Sequence, residues 1–199
     1  MARGTGRNFS RERIAQLAAR LMAEDGIEDY ALAKRKAARQ AGVPELRQLP
    51  DNDEIDAALR LYRELYQKEH PAQLRALRKI ALEAMNDLAR FDPHLTGSVL
   101  KGGAGKYADI QLQVFTDNAK TVEHYLLDCD VTFRSGETRL YAGDMEIQAP
   151  ILSFDRAGIE IHLTVLSLRE LRTQLKTSAA GKPIERAKRE AVEALVATD

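Results

Sequence analysis

The stretch Asp92-Pro93-His94-Leu95-Thr96-Gly97-Ser98-Val99-Leu100-Lys101-Gly102-Gly103-Ala104-Gly105-Lys106-Tyr107-Ala108-Asp109-Ile110-Gln111-Leu112-Gln113-Val114-Phe115 decides the fold. Before it, apolar residues recur every three or four positions. Within it, Ile110, Leu112 and Val114 alternate with Asp109, Gln111, Gln113 and Phe115, the two-residue period of a strand with one buried face. Asp92-Pro93 is therefore the point where a helical chain turns into a β-containing one.

Upstream, the helical period predicts a first helix from Ser10 to near Gly26, carrying Ile14, Leu17, Ala18, Leu21 and Met22. A second runs from about Tyr30 to Gln40. A third follows the capping residues Asp51-Asn52 and presents Ile55, Leu59, Tyr62 and Tyr66. The step at His70-Pro71 opens a fourth, to about Arg90, with a stripe of Leu74, Leu77, Ala81, Met85 and Leu88.

Downstream, Asp117 caps a helix through about Leu127, and Val131–Phe133, Thr138–Tyr141, Glu146–Phe154 and Gly158–Leu166 read as strands. Asp155-Arg156-Ala157-Gly158 is the hairpin turn between the last two. Helices are predicted at Leu168–Leu175 and Ile184–Val196, the latter docking through Ile184, Ala187, Ala191 and Leu195. The expected division is a helical region at 1–70, an α+β domain at 71–177, and a linker with a C-terminal helix at 178–199.

With 199 residues, 44% hydrophobic, and 30 basic against 30 acidic side chains, the chain has material for a packed core and no net charge. A whole-molecule attraction to nucleic acid or anionic lipid is excluded, and any such attraction must be local. No apolar run approaches the roughly 20 residues of a membrane span, and Met1 leads into a polar, Arg-rich stretch unlike a secretory signal. Cys129 is the single cysteine, which rules out an intrachain disulfide and a multi-cysteine zinc site. The expected location is a reducing cytoplasm. Cys129 is expected to fill core space, and His94 and His124 to lie on the surface.

A strand ending in Gly97-Ser98, a glycine-rich turn, a strand opening on Asp109, then a helix and a later strand bearing Glu160 and His162, is an order that resembles the nucleotidyltransferase superfamily. The family pattern is Gly-Ser followed about ten residues later by Asp-x-Asp, with a third acid on a later strand. The resemblance implies a mixed β-sheet flanked by helices, two magnesium (or manganese) ions on the carboxylates, and nucleotidyl transfer from a nucleoside triphosphate. Carried onto this chain, it makes Asp109 and Glu160 the catalytic carboxylates. Gly97, Ser98, Lys101 and Lys106 become the nucleotide contacts, and Asp109, Gln111, Glu160 and His162 the metal-facing set. Residues 109 and 111 share a strand face, so both can reach one site.

The chain departs from the pattern at Gln111, where an amide stands in place of an acid and supplies a weaker magnesium ligand. Two readings follow: a divergent nucleotidyltransferase with an unidentified acceptor, or an inactive binding or regulatory module keeping the fold. A third is that the β region has an unrelated fold. Leu100 and Tyr107 occupy the first glycine and the hydroxyl positions that a P-loop would need around Lys101–Lys106, which excludes that motif. Residues 1–47 carry an excess of basic over acidic side chains. A solvated helical face is the main reading of that excess, with a nucleic-acid or protein contact as the alternative.

Overall fold

The structure is a computed structural model and describes residues 3–25, 27, 29–42, 49–105, 108–179 and 181–198, with side chains from Ser10 onward. The chain divides into two compact units, Met1–Pro71 and Ala72–Asp199.

In the first unit, α1 (Arg3–Glu24), α2 (Tyr30–Gln40) and α3 (Asn52–Tyr66) bury Ile14, Ala18, Ala33, Ala37, Ile55 and Leu59 among themselves. Alanines at the α1–α2 contact allow close approach, and each cap follows from its residue. Asp29 accepts from the Ala31 N–H, while Asp51 and Glu54 form a reciprocal capping box at the start of α3. Tyr66, expected on the apolar face of α3, is 70% exposed, and Arg63 is buried in its stead.

Helix α4 (His70–Asp87) leads into the second unit, and all five residues of its expected stripe are buried. The expected last turn, Ala89–Phe91, tightens into a 3-10 helix that ends on Asp92 at a left-handed φ of 46°. Then come β1 (His94–Thr96), α5 (Gly97–Lys101), β2 (Ile110–Phe115), α6 (Ala119–Asp128), β3 (Arg134–Ala142), β4 (Met145–Arg156), β5 (Ile159–Leu166), β6 (Leu175–Lys176) and α7 (Arg189–Thr198). The sheet order is β1-β2-β5-β4-β3-β6, with β2 and β5 parallel and every other pair antiparallel. The protein is thus a mixed α+β chain.

One sheet face carries Ile110, Leu112, Val114, Ile161, Leu163 and Val165 into a core shared with α4 and α6. The other face changes character along its length. Phe115, Leu140, Ala149, Leu166 and Leu175 make a second apolar cluster at one end, whereas the residues paired further along are polar. Phe115 and Gln113 are therefore buried, at 3% and 4% exposure, on the side of β2 that the alternation assigns to solvent.

The C-terminal half departs most from expectation. Val131–Phe133 is not a strand, while Thr138–Tyr141 lies inside a longer one, β3, which covers 134–142 and pairs along its whole length with β4. Leu168–Leu175 is not a helix: it holds a 3-10 turn at Glu170–Arg172, and Leu175 opens β6. Residues 183–187 are not helical: Pro183 bridges Lys176, Ile184 donates to the Leu175 carbonyl, and Ala187 and Leu95 exchange both backbone hydrogen bonds. This segment links β6 to β1, the two edges of the sheet, and curls it around the second apolar cluster. Helix α7 starts only at Arg189 and docks through Val192, with Ala191 exposed.

Candidate functional site

Position along each strand decides which side chains meet. Parallel pairing sets Gln111 opposite His162, and antiparallel pairing sets Ser153 opposite His162, Arg134 opposite Ser153, and Thr96 opposite Gln111. Directly paired residues project to the same face, so Arg134, Ser153, His162, Gln111 and Thr96 form one row across five strands. The next row toward the strand ends holds Asp155, paired with Glu160. Asp109 immediately precedes β2.

These rows converge. His162 Nε2 lies 3.3 Å from Asp109 Oδ2 and 3.9 Å from Glu160 Oε2, and its Nδ1 lies 2.7 Å from Ser153 Oγ. The Gln111 amide donates to Asp109 Oδ2 at 3.4 Å. Glu160 is also ion-paired with Arg134. Asp109 and Glu160, expected as carboxylates of one site, thus both face Nε2 of a single imidazole, while Ser153 and Arg134 are members that motif spacing did not reveal. The sequence signal for Ser153 was the hairpin itself, since a two-residue turn at Ala157-Gly158 sets Ser153 opposite His162.

Gly97 joins the site through Gln111. Its φ is 72°, a left-handed value that glycine adopts without strain, and a Cβ there would lie 2.7 Å from Gln111 Oε1. Gly97-Ser98 is not the end of a strand as expected; it opens the short helix α5. That helix is held at its far end by Arg78 of α4, whose guanidinium, 4% exposed, donates to the Val99 and Leu100 carbonyls. Such a buried cation is tolerated because carbonyl groups replace its water. Lys101 closes α5, and Lys106 lies outside the described residues.

Two further polar groups lie just beyond, in the row where Gln113 pairs with both His94 and Thr164. His94 is not a surface residue. It is 6% exposed, bonds the Asp92 carbonyl through Nδ1, and meets the Phe115 ring edge to face. Burial pulls its pKa below the ordinary value, although the Asp92 carbonyl opposes this. The Gln113 Oε1 is buried with no hydrogen-bond partner among the described residues. Cys129 is exposed at the end of α6 rather than in the core, and His124 is exposed.

The chemistry of this donor set fits one divalent cation better than two. Magnesium is commonly held by one or two carboxylates plus substrate phosphates, and Asp109 and Glu160 provide two carboxylates. Gln111 beside them supplies a neutral amide, and the charge of Glu160 is already shared with Arg134. Among the described residues, no group of three His, Cys, Asp or Glu side chains is placed to hold a metal ion by itself.

The basic excess of residues 1–47 is partly neutralised where it is described. Arg11 binds Glu54 through Nε and Nη2 at 2.6–2.9 Å, and Arg20 binds Glu24 at 2.9 Å. The side chains of Arg3 and Arg7, and all of Arg47, lie outside the described residues. No helix among the described residues is long and apolar enough to cross a membrane. Compared with known proteins, the chain matches no family model, no curated protein and no solved structure.

Proposed function

We propose that the second unit is a divergent nucleotidyltransferase-like domain that receives a nucleoside triphosphate at the polar end of its curled sheet. Its reaction is metal-assisted transfer of the nucleotidyl group to an acceptor. The observation that carries this reading is the meeting of Asp109 and Glu160 about His162, beside the close packing of Gln111 on Gly97. The order of elements supports it as well: a short strand, a Gly-Ser helix start, an antiparallel strand preceded by an acid, and a parallel strand bearing the next acid.

Asp109 and Glu160 would hold one Mg²⁺ or Mn²⁺, whose contribution is to neutralise the triphosphate. Arg134 adds a positive charge on the same side, and Gly97 makes room for the Gln111 amide beside the site.

A second reading, an inactive binding or regulatory module, is favoured by two specific features: the amide at Gln111 and the ion pair between Arg134 and Glu160. The readings separate by titrating the four nucleoside triphosphates into the full chain with and without Mg²⁺ or Mn²⁺, and repeating with Asp109→Ala. Cation-dependent affinity lost on that change supports the transferase. Absence of binding under any condition supports the module and rejects the transferase. For the first unit, exposed Leu61, Leu65 and Tyr66 on α3 favour contact with a protein over contact with nucleic acid.

A further inference from the structure

Ser153 has no part in the reading above, yet it sits at the centre of the site. Its Oγ is 2.7 Å from His162 Nδ1, and the opposite ring nitrogen faces Asp109 Oδ2 at 3.3 Å. One neutral tautomer satisfies both contacts. With the ring proton on Nε2, directed at Asp109, the Nδ1 lone pair is left to accept the Ser153 hydroxyl proton. A hydroxyl, a base within hydrogen-bond reach, and a carboxylate that orients the base are the three parts of an activated oxygen nucleophile, whatever fold carries them.

Strand register holds this relay in place. Ser153 and His162 are direct cross-strand partners, and His162 is the direct partner of Gln111, the residue that touches Asp109. A slip of one residue would turn the set to the other face, where Leu152, Phe154, Ile161 and Leu163 are packed in the main core. Ser153 is 9% exposed, so water has little access to its oxygen.

Resting on the nucleotide reading, we propose that the acceptor of the nucleotidyl group is the Ser153 hydroxyl of this same chain. Ser153 Oγ attacks the α-phosphorus and its proton passes to His162 Nδ1. As the Oγ–P bond forms, the bond between the α-phosphorus and the bridging oxygen breaks, and pyrophosphate leaves. Arg134, the cross-strand partner of Ser153 and the ion partner of Glu160, places positive charge next to the phosphates. Asp109 acts on this step as a positioning residue, through the imidazole.

The test uses two readouts on the full chain. In the first, protein is incubated with each nucleoside triphosphate and Mn²⁺ and its mass is measured intact and by peptide. One nucleoside monophosphate on Ser153 is expected, absent in Ser153→Ala and slowed by at least about a hundredfold in His162→Asn. The Asn variant keeps a polar atom near the Nδ1 position but has no base, and circular dichroism of both variants checks that they fold. In the second, a fluorophosphonate probe is applied with chelator and without nucleotide. Labelling of Ser153 at roughly ten times the rate in His162→Asn or more is expected, since a bare serine lacks the base. Nucleotide binding with neither adduct nor probe label overturns the acceptor assignment and leaves the nucleotide reading standing. Probe label without nucleotide binding overturns the nucleotide reading and, with it, the donor named here. An adduct on any other residue overturns the assignment of Ser153.

Discussion

Replacing Gly97 by alanine tests the geometry that joins α5 to the site, because two penalties there can be separated. The backbone sits at φ 72°, where an L residue pays about 1–2 kcal/mol, while the loss of glycine's unfolded-state freedom returns roughly 0.5 kcal/mol. The new Cβ would also lie 2.7 Å from Oε1 and 2.9 Å from Cδ of Gln111. Those atoms end a flexible side chain, so Gln111 can swing aside, losing its 3.4 Å contact with Asp109 and paying about 0.5–1 kcal/mol for a poorer rotamer. Gly97→Ala alone should therefore destabilise the second unit by about 1.5–2 kcal/mol, and by only about 1 kcal/mol when Gln111→Ala is already present, a coupling near 0.5–1 kcal/mol. Hydrogen exchange of the β2 and β5 amides across a urea series measures this, since those strands lie in the main core and open with the unit. If Gly97→Ala costs less than about 0.5 kcal/mol, the left-handed assignment is wrong. If Gln111→Ala leaves the cost unchanged, the amide does not rest on Gly97 and the link between helix and site fails.

Three other outcomes follow from individual residues. Ala157 and Gly158 hold φ values of 54° and 79° in the two-residue turn between β4 and β5, so Ala157→Asn should raise stability by about 0.5–1 kcal/mol because asparagine tolerates that conformation; a thermal melt showing no gain rejects the turn type. His94 has its pKa lowered chiefly by burial, so the unfolded chain binds its proton more readily than the folded one. The stability this group contributes is complete above its ordinary value near 6.5 and is lost as pH falls below it; urea midpoints compared with those of His94→Gln should diverge on acidification, and parallel curves would refute the burial argument. Gln113→Met replaces an amide whose oxygen has no partner among the described residues with an apolar chain of similar size, and should leave stability unchanged or raise it by up to about 1 kcal/mol. A loss above about 1 kcal/mol would mean that the amide is bonded after all.

Local period carried much of the architecture. The α4 stripe from Leu74 to Leu88 is legible because a helix buries whatever recurs at its own pitch, and the Asp155–Gly158 hairpin is legible because its turn lies within four residues. Leu168–Leu175 misled because its apolar residues suit a helix, while Leu175 gains more by closing the second apolar cluster as a strand. The same competition turned Ile184 and Ala187 into edge partners of β6 and β1. Burial of His94, and of Phe115 on the supposed solvent side, followed from that closure and could not precede it.

By itself the sequence determined which residues alternate, where helices give way to strands, and that Asp109 and Gln111 share a face, since each depends on backbone geometry over a few residues. Only the tertiary structure decided that β5 lies beside β2 in parallel, in the register that sets His162, and with it the hairpin partner Ser153, beside Gln111. Strand partners are chosen by the burial of whole faces across some fifty residues of intervening chain, and a pattern two residues long carries no information about which distant strand completes it.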